Sequence, residues 1–215
     1  MVVDIWSDFV CPYCFVGKKR FEQALADLPE KDQVDVVFHT FRLDPDREAY
    51  DGRSLLETLA SGEGMNREKA ERSIARVQAL GAEGGLTFNL DQTKPTNTTA
   101  AHRLAKFARS VSTEHESAVR DAIFKAYFIE GKLISDLDTL VGLAETAGLD
   151  PDEARAILEN PTAFLDEIAE DERQAYEIYF DVVPHFLFDR KYEVSAVHPV
   201  EVYRNTLKQA LLEKP

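Results

Sequence analysis

Basic residues are in short supply. Lys and Arg number 25 against 39 Asp and Glu, a formal net charge of −14. A surface so acidic argues against the phosphate-backbone contacts that nucleic-acid binders make, so no nucleic-acid partner is expected. Long apolar runs are missing too. None approaches the roughly 20 residues that span a bilayer, and no membrane partner is expected. No basic stretch followed by an apolar core and a small-residue cleavage site precedes residue 11, so the expectation is a mature, cytoplasmic chain. Cysteine is scarce: two occur in 215 residues, three positions apart. In a reducing compartment such a pair does not read as a structural staple, which leaves redox chemistry or metal. Zinc generally takes four N/S ligands. No second cysteine pair exists and the five histidines are scattered, so no metal is expected.

What is present is an ordinary globular composition, 44% hydrophobic and 30% charged, long enough to bury a core without staples. Residues 2–6 read as a short buried strand. A turn leads into Cys11-Pro12-Tyr13-Cys14, and a helix with an apolar stripe through Cys14, Gly17, Phe21, Ala24 and Leu28 follows. Pro12 suits the first helical position, where a missing N–H costs nothing. Residues 34–43 read as a second strand, apolar on both faces, and strand–helix–strand implies a parallel pair. From 44 to 160 nearly everything has helical period, over 67–80, 99–108, 118–129, 135–147 and a last helix that Asp150-Pro151-Asp152-Glu153 opens with a capping box. A helix over 161–179, a strand over 185–188, a turn at Asp189-Arg190-Lys191, a hairpin partner over 192–194 and a helix over 199–212 complete the chain. The fold class is α/β: a thioredoxin-like core, residues 1–43 and 161–215, interrupted by an all-helical insertion lobe, residues 44–160.

Cys-x-x-Cys at a helix start carries the chemistry. The spacing lets both sulfurs meet within one turn. Cys11 sits at the helix N-terminus, where unpaired N–H groups and the helix dipole favour an anion and lower a thiol pKa. Cys14 lies one turn in, on the core-facing stripe, so an exposed attacking thiolate at Cys11 and a shielded resolving thiol at Cys14 are expected. Lys18, Lys19 and Arg20 add positive potential nearby, and Asp8 opposes it.

The opening strand, Ser7-Asp8-Phe9-Val10, Cys11-Pro12-Tyr13-Cys14 and Val183-Pro184 before a strand together resemble the DsbA-like thioredoxin-fold family. The helical insertion is similar to that of its cytosolic FrnE-type branch. So are Asn97-Thr98-Thr99-Ala100-Ala101-His102-Arg103-Leu104 and the hairpin from Phe188 to Ser195. The resemblance implies a dithiol–disulfide oxidoreductase acting on protein or small-molecule disulfides, with Pro184 in cis against the cysteine loop and the backbone of Val183 pairing with substrate. Two departures stand out: Val182 where the family often has Gly, and His185 where it often has an aromatic. Pro12-Tyr13 also occurs between glutaredoxin cysteines, which keeps glutathione in play as a co-substrate; no other cofactor is expected. Kappa-class glutathione transferases and chromene-carboxylate isomerases, in the same superfamily, typically carry Ser at the first cysteine, and form one alternative reading. A redox-regulated binding protein is the other. The oligomeric state has no signature.

Several residues have plainer readings. His185 is a candidate to stabilise the thiolate, against a packing role. His102 reads as structural, and His39, His115 and His198 as incidental. Trp6, the only tryptophan, reads as core. Asn97-Thr98-Thr99 matches a glycosylation sequon, which a cytoplasmic chain would not use. Tyr176, Tyr179 and Phe180 read as helical core rather than as the wall of a groove.

Overall fold

In the computed structural model, which describes residues 1–213, the chain opens as expected. Strand β1 (Val2–Ser7) feeds helix α1 (Pro12–Ala26), and β2 (Asp35–Thr40) returns parallel to β1, Trp6 lying opposite His39. The sheet is then completed from the far end of the sequence. β3 (His185–Phe188) runs antiparallel to β1, and β4 (Tyr192–Ser195) pairs with β3, giving the order β2-β1-β3-β4. The β3–β4 turn places Asp189 and Arg190 at φ 48° and 55°. Two consecutive positive φ values match the twist of a tight hairpin. The Asp189 carboxylate also accepts from the Val2 N–H at 2.7 Å, tying the turn to the start of β1.

On one face of the sheet, Val3, Ile5, Phe186, Phe188 and Val194 pack against Phe21, Ala24 and Leu28 of the α1 stretch. Tyr203, Leu207 and Ala210 of the closing helix join them. Alternation along the strands sends Trp6 and His185 to the opposite face. β2 is shorter than the strand read over 34–43. Val36, Val37 and Phe38 are half-buried rather than sealed on both faces. The cause is position: β2 is an edge strand, paired only with β1.

By backbone proximity the chain divides into two compact units. One holds residues 1–41 and the chain from Glu170 onward; the other is Arg42–Ala169. The second contains α2 (Leu55–Ala60), α3 (Arg67–Glu83), α4 (Thr99–Val111), α5 (Thr113–Phe128), α6 (Leu137–Thr146) and α7 (Pro151–Glu159). It is less continuously helical than its periodicity implied, because residues 84–98 run as turn and irregular backbone after Gly84-Gly85. A reciprocal capping box occurs at Ser54 and Glu57, opening the short α2. At Asp150 only half of one forms: the carboxylate accepts from the N–H groups of Asp152 and Glu153. Helix α8 (Leu165–Ile178) starts later than residue 161, after a turn with Phe164 at φ 62°, and α9 (Val200–Leu212) closes the chain. Among the described residues no helix is long and apolar enough to cross a membrane.

Candidate active site

Cys11 is the N-cap of α1, with extended backbone (φ −91°, ψ 110°), Pro12 in the first turn and no side-chain cap bond. Its N–H donates to the Asp8 carbonyl at 3.2 Å, and the Cys14 N–H donates to the Cys11 carbonyl at 3.1 Å. The turn therefore holds both cysteines on one end of α1. Both are free, and they approach to 3.5 Å. Cys14 is sealed at 1% exposure; Cys11 is nearly so at 5%. The expected contrast between an exposed and a shielded cysteine is thus small in area. Burial first, then a hydrogen bond with Cys11, pushes the Cys14 thiol well above its ordinary value.

Val183 and Pro184, both buried, sit against this turn, and the bond between them is cis. The Cys11 thiol donates to the Val183 carbonyl at 3.7 Å, so residues 172 positions apart meet at one sulfur. Gly17, one position of the apolar stripe, has a more particular place. A Cβ there would lie 2.7 Å from the Pro184 ring, so α1 approaches the proline only because residue 17 has no side chain. A glycine one turn after Cys14 is the signal that points to it. Pro12 and Tyr13 are half-buried.

Lys18 is buried, ion-paired with Glu22 and 5.9 Å from the Phe38 ring centre. Lys19 bonds the same carboxylate at 3.0 Å, and Arg20 donates to the His198 carbonyl at 3.1 Å. Much of the positive charge that follows the cysteines is therefore engaged along α1. The His185 ring stacks on Phe180 (centres 4.0 Å apart, planes at 5°), and its Nδ1 meets the Ser195 hydroxyl at 2.9 Å. Its Nε2 is buried without a partner, and burial lowers its pKa. These contacts belong to the sheet face of Trp6, 6.0 Å away. His102 lies on α4, in the other unit, and is buried.

His39, read as incidental, is the hub of a buried network. Nδ1 meets Asp171 at 3.0 Å, Nε2 meets Asp4 at 2.8 Å, and the ring stacks on Trp6 at 4.4 Å. Asp171 also accepts from the Thr40 N–H at 2.6 Å, and its carbonyl from the Trp6 indole at 3.1 Å. Burial would lower the His39 pKa, but the bonds to Asp171 and Asp4 outweigh it and the net shift is upward. Only the register of β2 on β1 and the return of the chain 132 residues later assemble this group. Among the described residues, no cluster of three or more His, Cys, Asp or Glu is arranged to hold a metal ion.

An anion-favouring helix start with two apposed thiols and a buried proline loop is an arrangement for sulfur exchange, and the comparisons agree. The family described as DSBA-like thioredoxin domain matches residues 2–208. A probable DsbA oxidoreductase from Streptomyces coelicolor is 39% identical, with a TM-score of 0.93 covering 100% of this chain and 92% of that one. The uncharacterized protein YwbO of Bacillus subtilis (strain 168) is 31% identical over 161 residues, 74% of this chain and 72% of that protein. The cytosolic disulfide reductase DsbM of Pseudomonas aeruginosa, solved with GSH, shares the fold at 16% identity. Its TM-score is 0.67, covering 99% of this chain and 100% of that one. The chain belongs to the DSBA-like thioredoxin family of disulfide oxidoreductases.

Proposed function

We propose that Cys11 and Cys14 form the dithiol/disulfide of this enzyme, with Cys11 attacking, Cys14 resolving and the Val183–Pro184 backbone receiving the substrate. The observation that carries this reading is the meeting of the Cys11 thiol, Cys14 and the Val183 carbonyl at the start of α1. In the reducing direction, the Cys11 thiolate attacks one sulfur of a substrate disulfide. A Cys11–substrate disulfide forms, and the other substrate sulfur leaves as a thiolate that takes up a proton. Cys14 then loses its proton and attacks the Cys11 sulfur, forming the Cys11–Cys14 disulfide and releasing the second substrate thiol. Two electrons and two protons pass from protein to substrate; oxidation is the same path reversed. The high Cys14 pKa keeps the resolving thiol protonated until the mixed disulfide has formed.

The substrates are protein or small-molecule disulfides, the setting a reducing cytoplasm, and the placement the FrnE-type branch. Glutathione is the co-substrate we favour: Pro12-Tyr13 separates the cysteines as in glutaredoxins, and the related fold of DsbM was solved with GSH. The test is an equilibrium titration of the pair in glutathione buffers, followed by Trp6 fluorescence, with Cys11→Ser and Cys14→Ser as controls. A two-electron transition is expected in the parent and in neither variant. A midpoint near about −120 to −180 mV marks an oxidant or isomerase, and one near about −270 mV a reductase. If no transition appears, or if Cys14→Ser keeps full turnover on a glutathione conjugate, the dithiol reading fails in favour of a glutathione-dependent transferase or isomerase.

A further inference from the structure

The segment that leads into Val183 presents apolar side chains to water. Tyr176 is 77% exposed, Tyr179 87% and Val182 44%, against the expectation that the tyrosines are helical core. Isolated exposed tyrosines are ordinary. Here the two rings sit 6.1 Å apart as a pair, and Val182 adjoins the substrate-receiving residue. Phe180, between Tyr179 and Val182, packs against His185 at 4.0 Å and Trp6 at 5.4 Å. Tyr179 has φ 63°, a backbone state uncommon for a bulky residue, and this turns its side chain outward at the end of α8.

The charge along this segment is mainly negative. From Glu170 to Asp181 the chain carries five carboxylates and one cation, Arg173. Arg173 is already held by Glu170 and Glu177. Asp181 is exposed between the tyrosines and Val182. Electron-rich ring faces beside carboxylates are the chemistry that recognises a guanidinium or ammonium group. Tyr179 lies four residues before Val183, so the patch is within about 14 Å of the docking backbone even if the connection is fully extended.

We propose that Tyr176, Tyr179 and Asp181 select polypeptide disulfides with an arginine or lysine within about four residues of the reacting cysteine, the span that an extended chain needs to reach the patch. This deepens the exchange reading and rests on it. Arginine is preferred over lysine, because its planar group stacks on a ring face.

The test uses the full reduced chain and disulfide-cyclised peptides differing only in carrying Arg or Glu three residues before the cysteine, with the rate of peptide reduction followed by chromatography. The Arg peptide is expected to react about 5–10-fold faster, the product of a cation–π contact and a screened charge pair. That ratio should fall to about 2 in Tyr176→Ser/Tyr179→Asn, whose asparagine suits the positive φ, and in Asp181→Asn, and it should shrink in high salt. Equal rates for the two peptides, or a ratio unmoved by all of these variants, would overturn the inference. Hydroxyethyl disulfide, uncharged and without a peptide chain, separates the two claims. If it is reduced while the peptides show no charge preference, only the selectivity falls; if it is not reduced by the reduced chain and 2-mercaptoethanol is not oxidised by the oxidised chain, the exchange reading falls with it.

Discussion

The helix starts of the two units are built differently. In the helical lobe, Ser54, Asn66, Ser112, Asp136 and Asp150 each accept a bond from an N–H of the helix they open, and Asn97 accepts from Thr99 at the start of α4. In the core, α1 begins at Cys11 with no such bond and no acidic residue in its first turn. The lobe satisfies its helix N-termini with local oxygens, at about 1 kcal/mol each. The core leaves the N-terminus of α1 to whatever charge develops on a sulfur, in keeping with the proposed role of Cys11. Both units also bury polar groups. Arg103 of α4 donates to the carbonyls of Ile157, Leu158, Asn160 and Ala163, a helix end satisfied by one guanidinium. The core buries Lys18 and Asp171 beside Cys14, His39 and His185, and the lobe buries His102 and Glu116.

The sharpest way to break the comparison is to give α1 a cap of the lobe type. Cys11→Ser places a good capping oxygen on extended N-cap backbone. Exchange should drop to background while the folded state gains about 0.5–2 kcal/mol, read as a rise of a few degrees in melting temperature. A stability loss would mean that the open helix start is not an unfilled cap. Arg103→Ala asks the converse question of the lobe. Leaving one buried and three part-buried carbonyls without their donor should cost about 2–4 kcal/mol in chemical denaturation. The midpoint potential of the cysteine pair should hold, and a shifted potential would mean that the lobe tunes the sulfur chemistry.

Local pattern was enough for the elements that local forces make. The apolar run of β1, Pro12 at the start of α1, the hairpin turn at Asp189-Arg190 and the periods of α3 to α7 are visible within a few residues of chain. The cis bond at Pro184 was expected from resemblance and has no signature in the residues themselves. What escaped notice depends on distant partners. His39 became a hub only through Asp4, 35 positions away, and Asp171, 132 away. The exposure of Tyr176 runs against its aromatic type and is settled by the face of α8 it lies on, and that of Tyr179 by its positive φ just past the helix. The burial of Cys11 has the same origin: it depends on Val183, and a helix start alone suggests exposure. The half-burial of β2 was hidden because an edge strand and a central strand with the same Val-Val-Phe run look alike.

Gly17→Ala probes how closely the core is built around its sulfurs. Alanine improves helix propensity by about 1 kcal/mol, so an exposed helix would gain from it. Here the new Cβ would sit 2.7 Å from the Pro184 ring, and one of the two must move. Overpacking of this kind costs about 1–3 kcal/mol, so a small net loss of stability is expected. The larger readout should be a several-fold slower exchange rate. Unchanged exchange would show that the spacing of α1 from Pro184 does not matter to the reaction. Gly142, in α6, has no atom within reach of a Cβ, so Gly142→Ala is the matching control and should stabilise.

The smallest effects expected come from the two histidines beside Trp6, and they should have opposite sign. The His39 pKa is raised in the folded state, so its contribution is fully present below the unfolded value of about 6.5 and is lost as pH rises through the folded value. The His185 pKa is lowered, burial outweighing the attraction of Glu193, so its contribution is present above about 6.5 and is lost as pH falls through the folded value. Stability measured by denaturant across the neutral range therefore contains two slopes that partly cancel. Removing one should expose the other. His39→Gln should make stability rise with pH, and His185→Gln should make it fall. Both substitutions keep a polar side chain, so the slope carries the assignment and the absolute stability does not. Two parallel curves would mean that neither ring titrates in the folded protein. In that case the network of Asp4, His39 and Asp171 holds β2 to α8 by hydrogen bonding alone.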